Sequence, residues 1–249
     1  MRTQPIPTLA LTGLLATLAL PDTANATAKQ LAANGLRVGG SVNGTFTAAG
    51  TQTWRLYLKD GKDYAVSGTG DCVSSVAVRA AGGRTLATFG FSNEDDPDGS
   101  EGVTLRAPYT GLYTVEVSVA PDRFPACAPQ GRYGLSASRD CAGDASTRCG
   151  IVTGQTFQNL HLDYQGDADW FRTTLAAGHA YAATFAAQDC NEFAVLDAHG
   201  RPVARDDCTV GHASGVLTFT APVSGTYYLA VRAFVDPPEP YSLSLTRAR

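Results

Sequence analysis

Along much of the chain, apolar and polar residues change places at every second position. Trp54, Leu56 and Leu58 alternate with Arg55, Tyr57 and Lys59, and Phe171, Thr173 and Leu175 alternate with Trp170, Arg172 and Thr174. A period of two marks a strand with one buried face, because successive side chains leave an extended backbone on opposite sides. Turn formers separate these runs, as in Lys59-Asp60-Gly61-Lys62, Ala81-Gly82-Gly83-Arg84 and Ala198-His199-Gly200-Arg201. Gly and Asp tolerate the tight or left-handed backbone such turns need. Apart from a short stretch around Ala28 to Asn34, no amphipathic helical pattern follows the N-terminal apolar segment. Short strands at this spacing predict antiparallel sandwiches.

The pattern occurs twice. Val103 to Val117 lies on Leu217 to Val231 without a gap, so that Ala107, Pro108, Gly111, Tyr113 and Val117 match Ala221, Pro222, Gly225, Tyr227 and Val231. Nearby offsets match Gly61 and Tyr64 to Gly178 and Tyr181, Asp71-Cys72 to Asp189-Cys190, and Tyr133 and Leu135 to Tyr241 and Leu243. A recurrence of this kind signals two copies of one unit. The copies differ in loops. The first is longer through the acidic stretch Asn93 to Glu101, and its last hairpin carries an insertion that brings Cys127.

The N-terminus reads as an export signal. Arg2 precedes the apolar run Leu9 to Leu20, too short to span a bilayer comfortably. Pro21 and the small residues Ala24 and Ala26 then place cleavage after residue 26. No later apolar stretch has membrane-spanning length. The expected division is a signal peptide at 1–26, an N-terminal segment at 27–37, module 1 at 38–140, a linker at 141–150 and module 2 at 151–249.

An exported chain gives meaning to its six cysteines at 72, 127, 141, 149, 190 and 208. An even set in an oxidising compartment reads as disulfides, with 15 connectivities open to six cysteines. Because Cys72 and Cys190 hold equivalent places, the duplication favours pairing within each copy: Cys72 with Cys127, Cys190 with Cys208, and Cys141 with Cys149 closing the linker. No CxxC pair and no histidine at ligand spacing supports zinc. The formal net charge of −4 provides no electrostatic footprint for nucleic acid or an anionic membrane.

Four segments, Asp167-Ala-Asp-Trp-Phe-Arg172, Leu175 to Tyr181, Asp197-Ala-His-Gly200 and Ala221 to Tyr228, resemble the bacterial pre-peptidase C-terminal domain family. The likeness covers nearly all of residues 151–249 and, more weakly, 38–140. It implies all-β architecture, two tandem antiparallel jelly-roll-like β-sandwich domains, of a kind usually appended to secreted proteases and other exported enzymes. The related collagenase modules bind collagen and calcium. A departure from the family pattern is the expectation that the modules stand alone, without an attached catalytic domain.

Candidate chemistry is sparse. Histidines 161, 179, 199 and 212 all fall in the second copy, outside any HExxH or GxSxG context. His161 and Asp163 share one face of a strand, which a metal could use, although surface polarity accounts for them more simply. Calcium is the better metal reading, since a hard cation takes several oxygens at a turn, although the spacing does not reproduce an EF-hand loop and a solvated acidic loop with no bound cofactor is the alternative. One candidate set is Asp95, Asp96, Asp98 and Glu101 around Gly99; a second is Asp167 and Asp169 with Asp206 and Asp207. Asp167 and Asp169 align with Gly50 and Gln52, so that site belongs to one copy. Trp170 aligns with the outward Thr53, and an outward Trp170 beside Arg172 either packs under a neighbouring loop or against the other module, or is free to stack on a sugar ring or anchor a protein.

The expectation is a non-enzymatic accessory protein, extracellular or periplasmic, that recognises a protein or polysaccharide surface. The principal rival is a folding or inhibitory partner of a secreted protease, and the third reading is an unrecognised hydrolase.

Overall fold

The computed structural model describes residues 35–70, 73–90, 100–122, 131–187, 191–206, 214–233 and 240–248. The first copy supplies β1 (Gly35–Leu36), β2 (Gly40–Phe46), β3 (Gly50–Leu58), β4 (Asp63–Thr69), β5 (Ser75–Arg79), β6 (Thr85–Phe89), β7 (Glu101–Arg106), β8 (Gly111–Val119) and β9 (Gly131–Arg139). The second supplies β10 (Gln155–His161), β11 (Ala168–Leu175), β12 (Ala180–Ala186), β13 (Asn191–Leu196), β14 (Pro202–Asp206), β15 (Ser214–Thr220), β16 (Gly225–Ala233) and β17 (Pro240–Arg247). No helix occurs among the described residues.

Each copy is a sandwich of two antiparallel sheets. In module 1 the orders are β3-β8-β5-β6, extended at one edge by β1, and β2-β9-β4-β7; in module 2 they are β11-β16-β13-β14 and β10-β17-β12-β15. Strand by strand these orders are identical, and both are the interleaved double Greek key of a jelly roll. The aligned residues coincide in register as well. Trp54 faces Val115 across β3 and β8, and Phe171 faces Leu229 across β11 and β16.

Alternation places one face of every sheet inside. Leu56, Leu58, Val76, Val78, Val115 and Val117 fill the first core, and Phe171, Leu175, Phe193, Val195, Leu229 and Val231 fill the second. The repeated motifs are turn locks. In the Ala-Pro-x-x-Gly-x-Tyr unit the tyrosine hydroxyl donates back to its own turn, Tyr113 to the Tyr109 carbonyl at 2.7 Å and Tyr227 to the Val223 carbonyl at 2.8 Å. The Gly-x-x-Tyr repeat works likewise. Gly61 and Gly178 take left-handed φ values of 63° and 73°, and the Tyr64 and Tyr181 hydroxyls accept from the amides of Lys59 and Ala176, each at 3.0 Å.

The pairing redraws two boundaries. β1, within the expected N-terminal segment, runs parallel to β3 and sends Leu36 fully into the first core. Its equivalent is Gly150-Ile151, which bridges Arg172 in parallel and buries Ile151 in the second core. Residues 141–150, expected to act as a linker, therefore pack on module 2. Thr147 Oγ1 donates to the Trp170 carbonyl at 2.8 Å, the Arg172 amide donates to the Cys149 carbonyl at 2.9 Å, and Cys141 is buried. The Cys141–Cys149 disulfide closes this segment, with an S–S distance of 2.00 Å. Cys72, Cys127, Cys190 and Cys208 lie outside the described residues, as do the signal segment and the short stretch around Ala28.

Candidate functional site

Two places collect chemistry. The first is the seam between the modules. Asp140 ends module 1 just after β9, and Asp163 and Asp167 flank the turn between β10 and β11. The carboxylates of these three residues lie within 4.8 Å of one another. Chain connectivity explains the gathering: Asp140 immediately precedes the disulfide-closed segment bound along β11, while the turn carrying Asp163 and Asp167 folds back toward module 1. The Gln165 amide donates to the Ser100 carbonyl at 3.1 Å, and Tyr164 lies over Gly102 so closely that a Cβ there would sit 2.4 Å from the ring. Thr104 of β7 donates to Asp140 and lies 3.1 Å from the Tyr164 hydroxyl.

Behind the three carboxylates stands Asp169, on the inward face of β11 and only 3% exposed. It accepts from the Tyr241 hydroxyl at 2.5 Å and from the Cys141 amide at 3.3 Å. Asp167 accepts from the amides of Asp163 at 2.7 Å and Ala168 at 2.8 Å. Burial is the largest influence on each of these four carboxyls, and the main electrostatic contributions come from one another and from hydrogen-bonding neighbours rather than from a cation. Burial favours the neutral form. Asp163 is pushed up to about 6 by burial, with a Ser138 hydrogen bond opposing. Asp167 is pushed up to about 7 by burial and then by the Asp140 charge, and Asp140 and Asp169 are raised for the same first reason. A divalent cation fits this donor set, which is all hard oxygen.

The second place is the outer face of the β11-β16-β13-β14 sheet. Trp170 does point outward, half-buried, with its ring 5.3 Å from that of Tyr228 and against Gly200. Beside it runs a hollow of about 350 Å³. Its floor is small: Ala168, Ala230 and Ala194 come from three successive strands, and Gly143 crosses so near Ala168 that a Cβ would meet its carbonyl oxygen at 2.7 Å. Glu192 and Arg232 line the hollow as its charged members, with Glu192 also 3.2 Å from Arg205. The arrangement can seat a flat, partly polar ring against an aromatic wall.

Other expected site residues fall elsewhere. Asp206 sits on β14 opposite Phe193, with β13 and β16 between it and Asp169, so Asp206 does not join Asp167 and Asp169 in one site. Arg172 is exposed and lines a different hollow with Thr147 and Val152, away from Trp170. Glu101 opens β7. Asp95, Asp96, Asp98 and Asp207 lie outside the described residues. His161 stays exposed at the end of β10 and outside the carboxylate group, whereas Asp163 enters it. His179 contacts Arg247 Nη2 at 2.6 Å, His199 occupies an exposed turn, and His212 is outside the described residues. Reading from sequence missed Asp140, which nothing local distinguishes from a loop aspartate, and the alanine floor, which exists only once strands are paired.

No family model matches the chain, and no curated protein matches it. Among solved structures it is similar to the tandem CBM51 modules of a family 98 glycoside hydrolase from Streptococcus pneumoniae, at 8% identity over 82% of this chain and 83% of that one, with a TM-score of 0.27. It is also similar to a putative secreted protein from Eubacterium rectale, at 11% identity over 84% and 74%, TM-score 0.28. The PBSX exported protein XepA gives 10% identity over 84% and 87%, TM-score 0.28. Likeness this slight identifies no site, and the pre-peptidase C-terminal family is not among these findings.

Proposed function

We propose that the chain is an exported, non-catalytic binding protein whose second module takes a sugar ring of a polysaccharide into the hollow beside Trp170. The observation that carries this reading is the pairing of an outward Trp170 with a floor of three alanines and a charged rim of Glu192 and Arg232. Sugar rings present an apolar C–H face and polar edges. A large aromatic wall takes the face, charged groups at the rim take hydroxyls, and alanines leave room for the ring. Export is supported by the N-terminal signal pattern and by the Cys141–Cys149 bond, which suits an oxidising compartment.

Calorimetric titration of the protein with soluble polysaccharides tests the reading. Trp170→Ala is expected to weaken binding about tenfold or more, on the scale of an aromatic hot spot, and to leave the fold intact by circular dichroism. Binding undiminished in Trp170→Ala would sink the reading. Capture of a secreted protease from culture supernatant, with no polysaccharide bound, would favour the rival instead.

A second reading concerns the seam, favoured by the approach of Asp140, Asp163 and Asp167. Calcium held there would offset the carboxylate charge and fix module 2 against module 1, presenting the hollow in a set orientation. Calorimetric titration after chelation tests it: one site is expected, lost in Asp167→Asn, and no heat in the wild type would overturn it.

A further inference from the structure

Module 1 has a cavity of its own, of about 240 Å³, where the chain passes from β1 to β2 and where β3 and β9 end. Arg37, Lys59 and Arg139 line it together with Tyr57, Tyr64 and apolar Leu36 and Val38. Three cations meet there, and no acidic residue is among the lining. In a protein with formal net charge −4 that is a local reversal of sign. None of the three has a carboxylate partner among the described residues, whose ion pairs use Arg79, Arg106, Arg201 and Arg205 instead. Asp140 follows Arg139 in sequence, but its carboxylate is committed to the seam. Asp60 follows Lys59 without lining the cavity.

One of the cations is held in place. The Arg139 guanidinium lies 5.5 Å from the centre of the Tyr64 ring, and Tyr64 is itself buried with its hydroxyl fixed by the Lys59 amide. An arginine over an aromatic face is directed while its planar donors stay available for a carboxylate or sulfate. Like charges converging without a counterion raise one another's energy, so an anion entering gains from all three.

Duplication supplies the control. By register the module 2 equivalents of Arg37, Tyr57, Lys59 and Arg139 are Val152, Thr174, Ala176 and Arg247. Tyr64 keeps its counterpart in Tyr181, because that tyrosine serves the fold. The cations at 37 and 59 serve no shared structural purpose, and module 2 folds without them.

We propose that this cavity binds the anionic group of an acidic polysaccharide, a uronate carboxylate or a sulfate ester, with the sugar ring against Tyr57 and the apolar wall. All three cations are exposed, at the mouth rather than the floor, which suits a unit within a chain lying across the cavity. The site is independent of the hollow at Trp170 and stands if that reading fails.

Native affinity electrophoresis through gels containing polygalacturonate, dextran sulfate or neutral dextran tests it. The wild type is expected to be retarded by at least one polyanion, less so at higher salt, and not by dextran. The exposed-site variant Arg37→Ala/Lys59→Ala/Arg139→Ala should lose retardation by about tenfold or more in apparent affinity. Arg247→Ala and Trp170→Ala should keep it. Equal retardation by dextran, none by either polyanion, or full retardation of the triple variant would overturn the proposal, as would its loss in Trp170→Ala alone. Unchanged circular dichroism of the triple variant separates lost binding from lost fold.

Discussion

The two modules place the same tyrosine at the same point and give it different partners. In module 1, Tyr133 donates to Gln52 at 2.6 Å and accepts from Trp54 Nε1 at 2.9 Å; in module 2, Tyr241 donates to Asp169 at 2.5 Å, and Phe171 replaces the indole. By register Gln52 and Asp169 are equivalent, opposite Val117 and Val231. One scaffold thus carries a neutral amide in one copy and a nearly inaccessible carboxyl in the other. The acidic version lies where module 2 meets Asp140 of module 1. Divergence at the same fold positions also separates the surfaces: Trp170 and Ala230 stand where module 1 has Thr53 and Glu116, and Val152 and Ala176 stand where it has Arg37 and Lys59. What the duplication shares is structural, and what it does not share is where function is to be sought.

The largest expected break between the copies is their response to pH in the presence of a chelator. Asp163 and Asp167, ordinarily near 3.8, titrate at about 6 and about 7 in the folded protein. A carboxyl raised by folding holds its proton longer in the native state than in the unfolded chain. Its contribution is therefore fully present below about pH 4 and is lost as pH rises through 6 and 7. For Asp167 alone the swing is at most roughly 4 kcal/mol. Chelated protein should thus melt lower at pH 7.5 than at pH 5, with the loss confined to the seam and module 2, and saturating calcium should restore the difference. Each module carries one of the two tryptophans, Trp54 or Trp170, so fluorescence reports them separately. A Trp170 transition indifferent to pH would contradict the assigned burial of these groups.

Next in size is the Cys141–Cys149 bond. It holds Gly150-Ile151 along β11, a task that β1 performs for module 1 through Gly35-Leu36. Cys141→Ser/Cys149→Ser is expected to cost module 2 about 2–3 kcal/mol, from the freedom regained by a short unfolded loop. The measurement is urea denaturation followed at Trp170, with the Trp54 transition unmoved. Because the Tyr228 hydroxyl reaches the Ala145 carbonyl at 3.4 Å and Gly143 lines the hollow, ligand affinity at Trp170 should fall as well.

The strands, the duplication and the outward direction of Trp170 were legible in the sequence because period two and a gap-free alignment are local signals. Parity along β11 also marks Asp169 as sharing the face of Phe171, and so as a buried acid. Its companions were not legible. Asp140 is brought to Asp163 and Asp167 only by the packing of residues 141–150 against module 2, and the adjacency of Asp206 failed because two strands intervene. The triad at Arg37, Lys59 and Arg139 joins positions far apart in the chain through the pairing of β4 with β9 and of β1 with β3.

The smallest break is made by one atom in each copy. Tyr133→Phe removes a donor from Gln52, whose Nε2 keeps its bond to the Thr45 carbonyl at 2.8 Å, and an acceptor from Trp54 Nε1; both side chains are half-buried, so solvent can replace the lost contacts. Tyr241→Phe removes a donor from Asp169, 3% exposed, and leaves it the Cys141 amide and Asp140 as partners. A hydrogen bond among accessible groups contributes about 1 kcal/mol, whereas stranding a buried acceptor that can ionise costs about 2–3 kcal/mol. The two substitutions should therefore differ by about 1–2 kcal/mol, read as the gap between the shifts of the Trp54 and Trp170 transitions. Equal shifts would mean that Asp169 is protonated and satisfied by Asp140 without Tyr241. In that case the Asp169→Gln exchange, which copies module 1, should be nearly silent at neutral pH.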